Sequence, residues 1–158
     1  LLLLDNPSAA LIFTKTKAET EEVAEALTQA GLSAAFLHGD LVQASRASHL
    51  LHLAWFAEHG AYWTSPLNLR WVEASVRLVE AFCAQGGQQA VLAGSCAEYD
   101  WAEGYCREDH TPLQAATLYG TSKDATRRLV MAVCAQHQVR CAWGRVFLPI
   151  GAGEAARA

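Results

Sequence analysis

The chain has few of the features that would place it in several common classes of protein. Its five cysteines are scattered, odd in number and form no CxxC pair, and its six histidines form no HxxxH pair. Neither a disulfide framework nor a metal site is therefore expected. No apolar run reaches the length of a membrane span, since the opening LLLL is followed at once by Asp5-Asn6-Pro7. These absences indicate a cytoplasmic protein with reduced thiols, no metal and no membrane partner.

Positive charge is also scarce. Twelve lysines and arginines stand against sixteen aspartates and glutamates, which gives a net charge of −4. A surface that binds a phosphate backbone is basic, so nucleic acid is disfavoured as a partner. There is no GxxxxGK(S/T) loop for nucleotide phosphates. What the chain does have is 52% hydrophobic residues in 158 positions, which is enough for the core of one domain.

Short apolar runs alternate with longer amphipathic segments. Helices are predicted over residues 16–30, 66–85 and 118–138, where capping residues, proline or glycine mark the ends. The polar and aromatic stretch Cys96–Pro112 is expected to be a long functional loop. The apolar runs suit buried strands and are too short for helices; they are Ala10–Lys15, Ser33–Gly39, His49–Phe56, Gln89–Ser95 and Arg140–Phe147.

This alternation predicts an α/β fold with a three-layer, doubly wound, five-stranded parallel sheet of the Rossmann or flavodoxin type. Right-handed crossovers favour the strand order 2-1-3-4-5, which puts the first strand at the centre. We expect residues 1–158 to form one domain. Its parts would be residues 1–48, residues 49–151 and a frayed tail at 152–158.

The first part of the chain resembles the second RecA-like domain of a DEAD-box RNA helicase. The segment LIFTKTKAETEEVAEAL is similar to that family's motif IV strand and helix, and LHGDLVQASR to its LHGxxxQxxR segment. The resemblance implies that Gln43 and Arg46 position an RNA backbone. The family's later HRxGRxGR-type arginine motif does not occur in the chain. Without the rest of the helicase cleft, Gln43 and Arg46 are expected to be solvated polar residues.

From about Leu50 to Gly151 the chain resembles an extended short-chain dehydrogenase/reductase of the NAD-dependent epimerase/dehydratase family. The segment VLAGSCAEYD is similar to the family's SSxxVYG strand end, and LYGTSKDATRRL to its YxxxK helix. Three further segments match in the same order: LLHLAWF, SPLNLRWVEASVRLVEAF and GRVFLPIG. Five matches in order are far more specific than a lone YxxxK.

The dehydrogenase resemblance implies roles for five residues. Tyr119 would transfer a proton, and Lys123 would favour its phenolate and bind the nicotinamide ribose. Ser95 would steady the substrate oxygen, Asn68 would order a water-linked relay, and Arg145 would face the nicotinamide. The spacing agrees with the first pair, because a free tyrosine has a pKa near ~10 and a lysine one helical turn away lowers it.

Each of these residues also has a structural interpretation. Tyr119 and Lys123 would then be ordinary helix residues, Ser95 a turn residue and Asn68 a residue that starts a helix. The tryptophans are interpreted as packing aromatics; they are Trp55, Trp63, Trp71, Trp101 and Trp143.

The first turn of the sheet departs from the dehydrogenase pattern. A GxxGxxG turn belongs after the first strand, but Phe13–Thr20 reads FTKTKAET and has no glycine. The resemblance also changes within QASRASHLLH. The leading hypothesis is therefore a natural or engineered chimera with vestigial site residues, no efficient activity and no cofactor. One alternative is an NAD(P)-dependent nucleotide-sugar epimerase/dehydratase, and a second is an RNA-binding helicase fragment.

A homodimer is predicted through the helices at 66–85 and 118–138. The dehydrogenase resemblance implies that these two helices form a four-helix bundle with a second copy. Both helices carry apolar positions beyond a single stripe: Val72, Val76, Val79 and Phe82, then Leu129, Val130, Val133 and Cys134.

Overall fold

A computed structural model of the chain describes residues 10–13, 25, 26, 29, 47–56 and 58–148. Positions 25, 26 and 29 are helical, and a short 3₁₀ turn covers Cys96–Glu98. The strands and long helices are β1 (Ala10–Phe13), β2 (His49–His52), α1 (Leu67–Ala84), β3 (Gln89–Ser95), α2 (Leu118–Gln136) and β4 (Arg140–Val146).

The four strands form one parallel sheet in the order β1-β2-β3-β4. In the register, Leu51 of β2 lies between Ile12 of β1 and Val91 of β3. This confirms the predicted Rossmann-like α/β fold with a parallel sheet. The strand predicted at 33–39 lies outside the described residues, so the fifth strand and the central position of β1 stay predictions.

The helices α1 and α2 lie together on one face of the sheet. Each connects two parallel neighbours, β2 to β3 and β3 to β4, and right-handed crossovers in a constant direction place both helices on the same side. They enclose a core with strands β2 and β3. Its fully buried members are apolar: Leu50, Val79, Phe82, Ala90, Leu92, Val130 and Cys134.

The burial of each strand reflects its place in the sheet. Strand β3, with neighbours on both sides, is buried at five of its seven positions, as expected for an inner parallel strand. Strand β4 alternates exposed and half-buried residues along its length. Among the described strands β4 pairs only with β3, which agrees with an edge position.

Several element boundaries differ from the sequence prediction by a few residues, and two of these differences have a visible cause. Strand β2 ends at His52 rather than Phe56, because Trp55 leaves the sheet and its indole nitrogen donates to Asn68 Oδ1 in α1 at 2.9 Å. Helix α2 ends at Gln136 rather than Gln138. Gln138 has a φ of +58°, a left-handed conformation that cannot continue a right-handed helix.

Four of the residues predicted for a dimer surface belong to the core instead. Val79, Phe82, Val130 and Cys134 are at most 1% exposed because α1 and α2 pack against each other and the sheet. Only the outer residues of the two helices remain for a partner. In the described part of the chain, no helix is long and apolar enough to cross a membrane. The same residues contain no cluster of three or more side chains suited to hold a metal ion.

Among the residues that the structure describes, Phe82 is the largest fully buried side chain, so its truncation should be costly. We expect Phe82→Ala to lower the free energy of unfolding by about 3–5 kcal/mol, because it leaves a cavity between α1 and the sheet. Urea unfolding followed by circular dichroism measures the difference. Tyr105→Ala, which truncates an aromatic residue that is 56% exposed, should change it by no more than ~0.5 kcal/mol. Equal effects for the two variants would contradict this core.

Candidate active site

Three of the predicted site residues meet where β3 ends and α2 begins. Ser95 is the last residue of β3, and Tyr119 and Lys123 occupy the first two turns of α2. The carboxyl ends of parallel strands are where α/β proteins bind ligands. Thr117 caps α2 by accepting from the Gly120 amide at 3.1 Å. The Tyr119 amide donates to Trp63 O at 3.1 Å. This bond anchors the loop before α1 over the start of α2.

Gly120 allows α2 to approach the turn that follows β3. A Cβ at position 120 would lie 2.2 Å from Ala97 O, too close for any side chain to fit without a shift of the backbone. The helix start therefore rests directly on the 3₁₀ turn. This contact places Tyr119 near Ser95, whose side chain lowers the pKa of the Tyr119 phenol.

The environment of Tyr119 acts on its pKa in two directions. Burial raises the pKa, the hydrogen bond with Ser95 lowers it, and the nearby charges of Tyr62, Cys96 and Glu98 raise it further. The net direction is upward. The sequence predicted the opposite, a phenolate favoured by Lys123. That effect does not prevail because burial is the largest influence and the Lys123 nitrogen lies 6.0 Å from the centre of the Tyr119 ring.

Lys123 is buried although it carries a charge. Its side-chain nitrogen donates to Ala93 O at 2.9 Å and lies 4.1 Å from the centre of the Trp55 ring. Burial lowers its pKa to about 8, and the negative charge of Glu98 opposes that shift. An ammonium has three donors, and the described residues supply one acceptor for them. The remaining donors suit the hydroxyls of a bound molecule.

Aromatic rings surround Tyr119. Tyr62 meets it edge to face at a centroid distance of 4.8 Å, Trp63 at 5.7 Å and Trp55 at 6.4 Å. Trp55 and Trp63 were predicted as packing residues, and their contacts give them a place around the site as well. Tyr62 could not be identified from the sequence, because nothing in the loop before α1 indicates that its ring packs against Tyr119.

Asn68 is fully buried at the start of α1. Its amide nitrogen donates to Tyr62 O at 2.7 Å and Ser65 O at 2.9 Å, and its oxygen accepts from Trp55. These bonds tie the loop before α1 to the helix and hold Trp55 against Lys123. The placement favours the structural interpretation of Asn68 over the predicted water-linked relay.

Arg145 was predicted to face the nicotinamide, but the structure pairs it with Glu98. Its Nε donates to Glu98 Oε2 at 2.8 Å, and its guanidinium lies 4.9 Å from the centre of the Tyr99 ring. Glu98 is fully buried, and its Oε1 also accepts from the Ser95 amide at 2.7 Å. Sequence analysis missed Glu98. The available signal was a carboxylate at the position where the SSxxVYG pattern has valine.

The arrangement can transfer a proton at the Tyr119 hydroxyl, with Ser95 beside it. Lys123 can hold a diol such as a ribose, so the residues present fit the nicotinamide end of a dinucleotide. The glycine-free segment 14–20, where the resemblance places the pyrophosphate, lies outside the described residues, as do Gln43 and Arg46.

Comparison with protein families gives a match over almost the whole chain. The model of the NAD dependent epimerase/dehydratase family matches residues 3–158. Among solved structures, MoeE5 in complex with UDP-glucuronic acid and NAD is 25% identical, with a TM-score of 0.69. The alignment covers 87% of this chain and 53% of MoeE5. The chain thus spans about half the length of this relative.

Two more distant structures share the fold. RMD from Pseudomonas aeruginosa, complexed with NADPH, is 15% identical with a TM-score of 0.61, over 94% of this chain and 57% of its own. UDP-glucose 4-epimerase from Thermotoga maritima is 11% identical with a TM-score of 0.59, over 87% and 54%.

Curated helicases match a shorter segment. The ATP-dependent RNA helicase DbpA of Escherichia coli is 43% identical over 54 residues, which is 34% of this chain and 12% of the helicase. The helicase CshA of Bacillus subtilis is 46% identical over 46 residues, or 29% and 9%. These matches confirm a local likeness to DEAD-box helicases and do not extend to most of the chain.

The family match corrects the leading hypothesis of the sequence analysis. It runs through residues 3–158 and so crosses the predicted join between 46 and 50. Together with the NAD-bound structure of MoeE5, it contradicts the interpretation of the chain as an inactive chimeric folding module. It also favours the NAD(P)-dependent alternative over the expectation of no cofactor.

The lowered pKa of Lys123 predicts how stability depends on pH. The unfolded chain holds this proton up to about pH 10.5 and the folded chain only up to about pH 8. Between these values the unfolded state binds more protons, so the free energy of unfolding rises with pH. The rise should total roughly 3 kcal/mol at most, at 1.36 kcal/mol per pKa unit.

Urea unfolding of the parent and of Lys123→Met from pH 7 to 10.5 measures this rise. The difference between the two proteins isolates Lys123 from other groups that titrate in the same range. We expect the parent to gain stability relative to the variant across the window. A difference that stays constant with pH would contradict the burial of a titrating lysine.

Proposed function

The chain belongs to the NAD dependent epimerase/dehydratase family, and we propose that it is an NAD(P)-dependent oxidoreductase acting on a nucleotide-linked sugar. The observation that carries the proposal is the convergence of Ser95, Tyr119 and Lys123 at the carboxyl end of β3. The structure of MoeE5 with UDP-glucuronic acid and NAD supports the choice of ligand class.

Tyr119 is the residue that exchanges a proton with the substrate hydroxyl. With its pKa raised, Tyr119 is a neutral phenol at neutral pH and can donate a proton to a substrate oxygen that gains negative charge. When a substrate hydroxyl is oxidised instead, the phenolate form of Tyr119 accepts the hydroxyl proton. Ser95 orients that oxygen through its hydroxyl, which can both donate and accept a hydrogen bond. A bound nicotinamide supplies the exchange of hydride, which none of these side chains can perform.

Lys123 binds the cofactor ribose in this proposal. Its ammonium is fixed by Ala93 O on one side and by the face of Trp55 on another. A fixed donor loses little side-chain freedom when a ligand binds, so each new hydrogen bond contributes more to affinity. The approach of a partly negative oxygen also favours the protonated lysine, against the effect of burial.

Titration with NADH and NADPH tests the proposal. We expect micromolar binding of one of them, and a dissociation constant about 10–100-fold higher for Lys123→Met, because a charged hydrogen bond contributes roughly 1.5–3 kcal/mol. Calorimetry measures the constants. Arg77→Met is the matched control and should leave the constants unchanged, since Arg77 lies in an exposed salt bridge with Glu73 on α1.

Turnover is tested with UDP-glucose and UDP-glucuronic acid as probes. Tyr119→Phe should retain cofactor binding and lose oxidation of the probe, measured as NADH absorbance. Failure of the parent to bind either cofactor at millimolar concentration would overturn the proposed function. It would indicate that the glycine-free turn at 14–20 cannot accept a pyrophosphate.

We also propose that the protein is a homodimer through the outer faces of α1 and α2. Leu69 and Leu129 are 58% and 47% exposed, and Val72, Val76 and Val133 are half-buried beside them. An apolar surface on two adjacent helices is suited to pairing with a second copy by a two-fold axis.

Light scattering at high protein concentration should give twice the chain mass of 17.1 kDa. We expect Leu129→Glu to shift the protein to a monomer, because the charge would be buried in the interface. Met131→Glu is the control: it is 39% exposed and lies two residues away, on the opposite side of the helix. A parent of monomer mass would contradict the dimer.

A further inference from the structure

The buried carboxylate of Glu98 makes contacts that the proposed reaction does not by itself require. The residue is 0% exposed. Its Oε1 accepts from the Ser95 amide at 2.7 Å and from the Trp143 indole at 3.0 Å. Its Oε2 accepts from Arg145 Nε at 2.8 Å and from the same indole at 3.1 Å. Every donor is an N–H group, which suits an ionised carboxylate.

Gly94 makes room for this carboxylate. A Cβ at position 94 would lie 2.1 Å from the Trp143 indole nitrogen and 2.6 Å from Glu98 Oε1. Against the SSxxVYG pattern, this chain has glycine in place of the first serine and glutamate in place of valine. The two departures therefore have one physical cause, because the carboxylate and the indole fill the space that a side chain at 94 would need.

Stability alone gives a weak reason for burying such a pair. Removing a carboxylate and a guanidinium from water costs free energy that their attraction often fails to recover, and apolar residues of similar size commonly serve as well. The Arg145 side chain is largely removed from water, with 14% of it exposed. The contacts of Glu98 with the site residue Ser95 offer a better reason.

Ser95 is held from two directions, and Glu98 supplies one of the two bonds. Its carboxylate accepts from the Ser95 amide, and the Ser95 hydroxyl accepts in turn from the Ala97 amide at 3.2 Å, inside the same 3₁₀ turn. The two bonds fix the backbone and the side chain of Ser95 together. The side chain of Ser95 is also the group that lowers the pKa of Tyr119.

We propose that Glu98, clamped by Arg145 and Trp143, is a positioning residue that sets the Ser95 hydroxyl against Tyr119. Arg145 acts through its contact with Glu98. The proposal rests on the proposed function in the roles it gives Ser95 and Tyr119. Its geometry can be tested without cofactor or substrate.

The pKa of Tyr119 distinguishes positioning from a simple effect of charge. The Ser95 hydrogen bond lowers this pKa, and the charge of Glu98 raises it by a smaller amount. If Glu98 positions Ser95, Glu98→Gln releases the hydroxyl and the pKa of Tyr119 rises. If Glu98 acts only through its charge, the same variant lowers it. Besides Ser95 and Glu98, the groups that face Tyr119 are Tyr62, Cys96 and Lys123.

The experiment uses the full chain labelled with 3-fluorotyrosine and titrated by ¹⁹F NMR. The label is more acidic than tyrosine, which keeps the titration within a milder pH range. The chain has four tyrosines, and Tyr119→Phe identifies the resonance of interest. We expect Glu98→Gln to raise the pKa of that residue by about 0.5–1 unit, the size of one ordinary hydrogen bond.

Ser95→Ala should give a similar rise, and adding Glu98→Gln to it should give no further rise. Asp124→Asn is the matched control, because it also neutralises a buried carboxylate paired with two arginines, Arg127 and Arg128. It should leave the pKa of the labelled Tyr119 unchanged. If Glu98→Gln does not fold, Trp143→Phe removes one donor to Glu98 and should produce a smaller rise.

An unchanged or lowered pKa in folded Glu98→Gln, or in Trp143→Phe where that variant replaces it, would overturn the proposal. NADH titration of the same proteins separates this result from the proposed function. If the parent binds NADH but Glu98→Gln leaves the Tyr119 pKa unchanged, the proposed function is supported and the positioning role of Glu98 is contradicted. If the parent does not bind NADH but Glu98→Gln raises the Tyr119 pKa, the positioning of Ser95 is supported and cofactor binding is contradicted.

Discussion

The close contact between the first turn of α2 and the turn after β3 is the constraint on which the site depends. With no Cβ at Gly120, the helix rests on Ala97 O. The separation between α2 and this turn determines how close Tyr119 and Lys123 come to the carboxyl end of β3, and therefore which groups they contact. Lys123 reaches Ala93 O on β3, and Tyr119 reaches Ser95 at the end of the same strand. A side chain at position 120 would move both residues together.

Burial then gives the site its electrostatic character. It raises the pKa of Tyr119 and lowers that of Lys123, so both residues shift toward their neutral forms. Glu98, by contrast, is paired with Arg145 and accepts from two further N–H donors, the Ser95 amide and the Trp143 indole. The site thus combines one fixed charge pair with two titratable groups whose state a ligand can change. Such a combination suits proton transfer better than a set of permanently charged residues.

The fold and part of the site could be predicted from the sequence because both leave local patterns. Alternating apolar runs and bounded amphipathic segments gave the parallel α/β sheet, and the helical spacing of Tyr119 and Lys123 brought that pair together. The role of Glu98 could not be predicted, because it depends on Trp143 and Arg145 from a strand more than forty residues later. The direction of the Tyr119 pKa was wrong for a similar reason: spacing along a helix says nothing about how deeply the helix is buried.

The local likeness to helicases and the family match are compatible in physical terms. A parallel strand followed by a helix has the same requirements in any α/β domain: a continuous apolar run, a capped helix start and an apolar helix stripe. A segment of about fifty residues can satisfy them in either family, so its likeness describes a strand–helix unit and not an activity. The chemistry belongs to the residues at the strand ends. In this chain Ser95, Tyr119 and Lys123 all come from the part after residue 49, so the proposed reaction depends on the residues of that part.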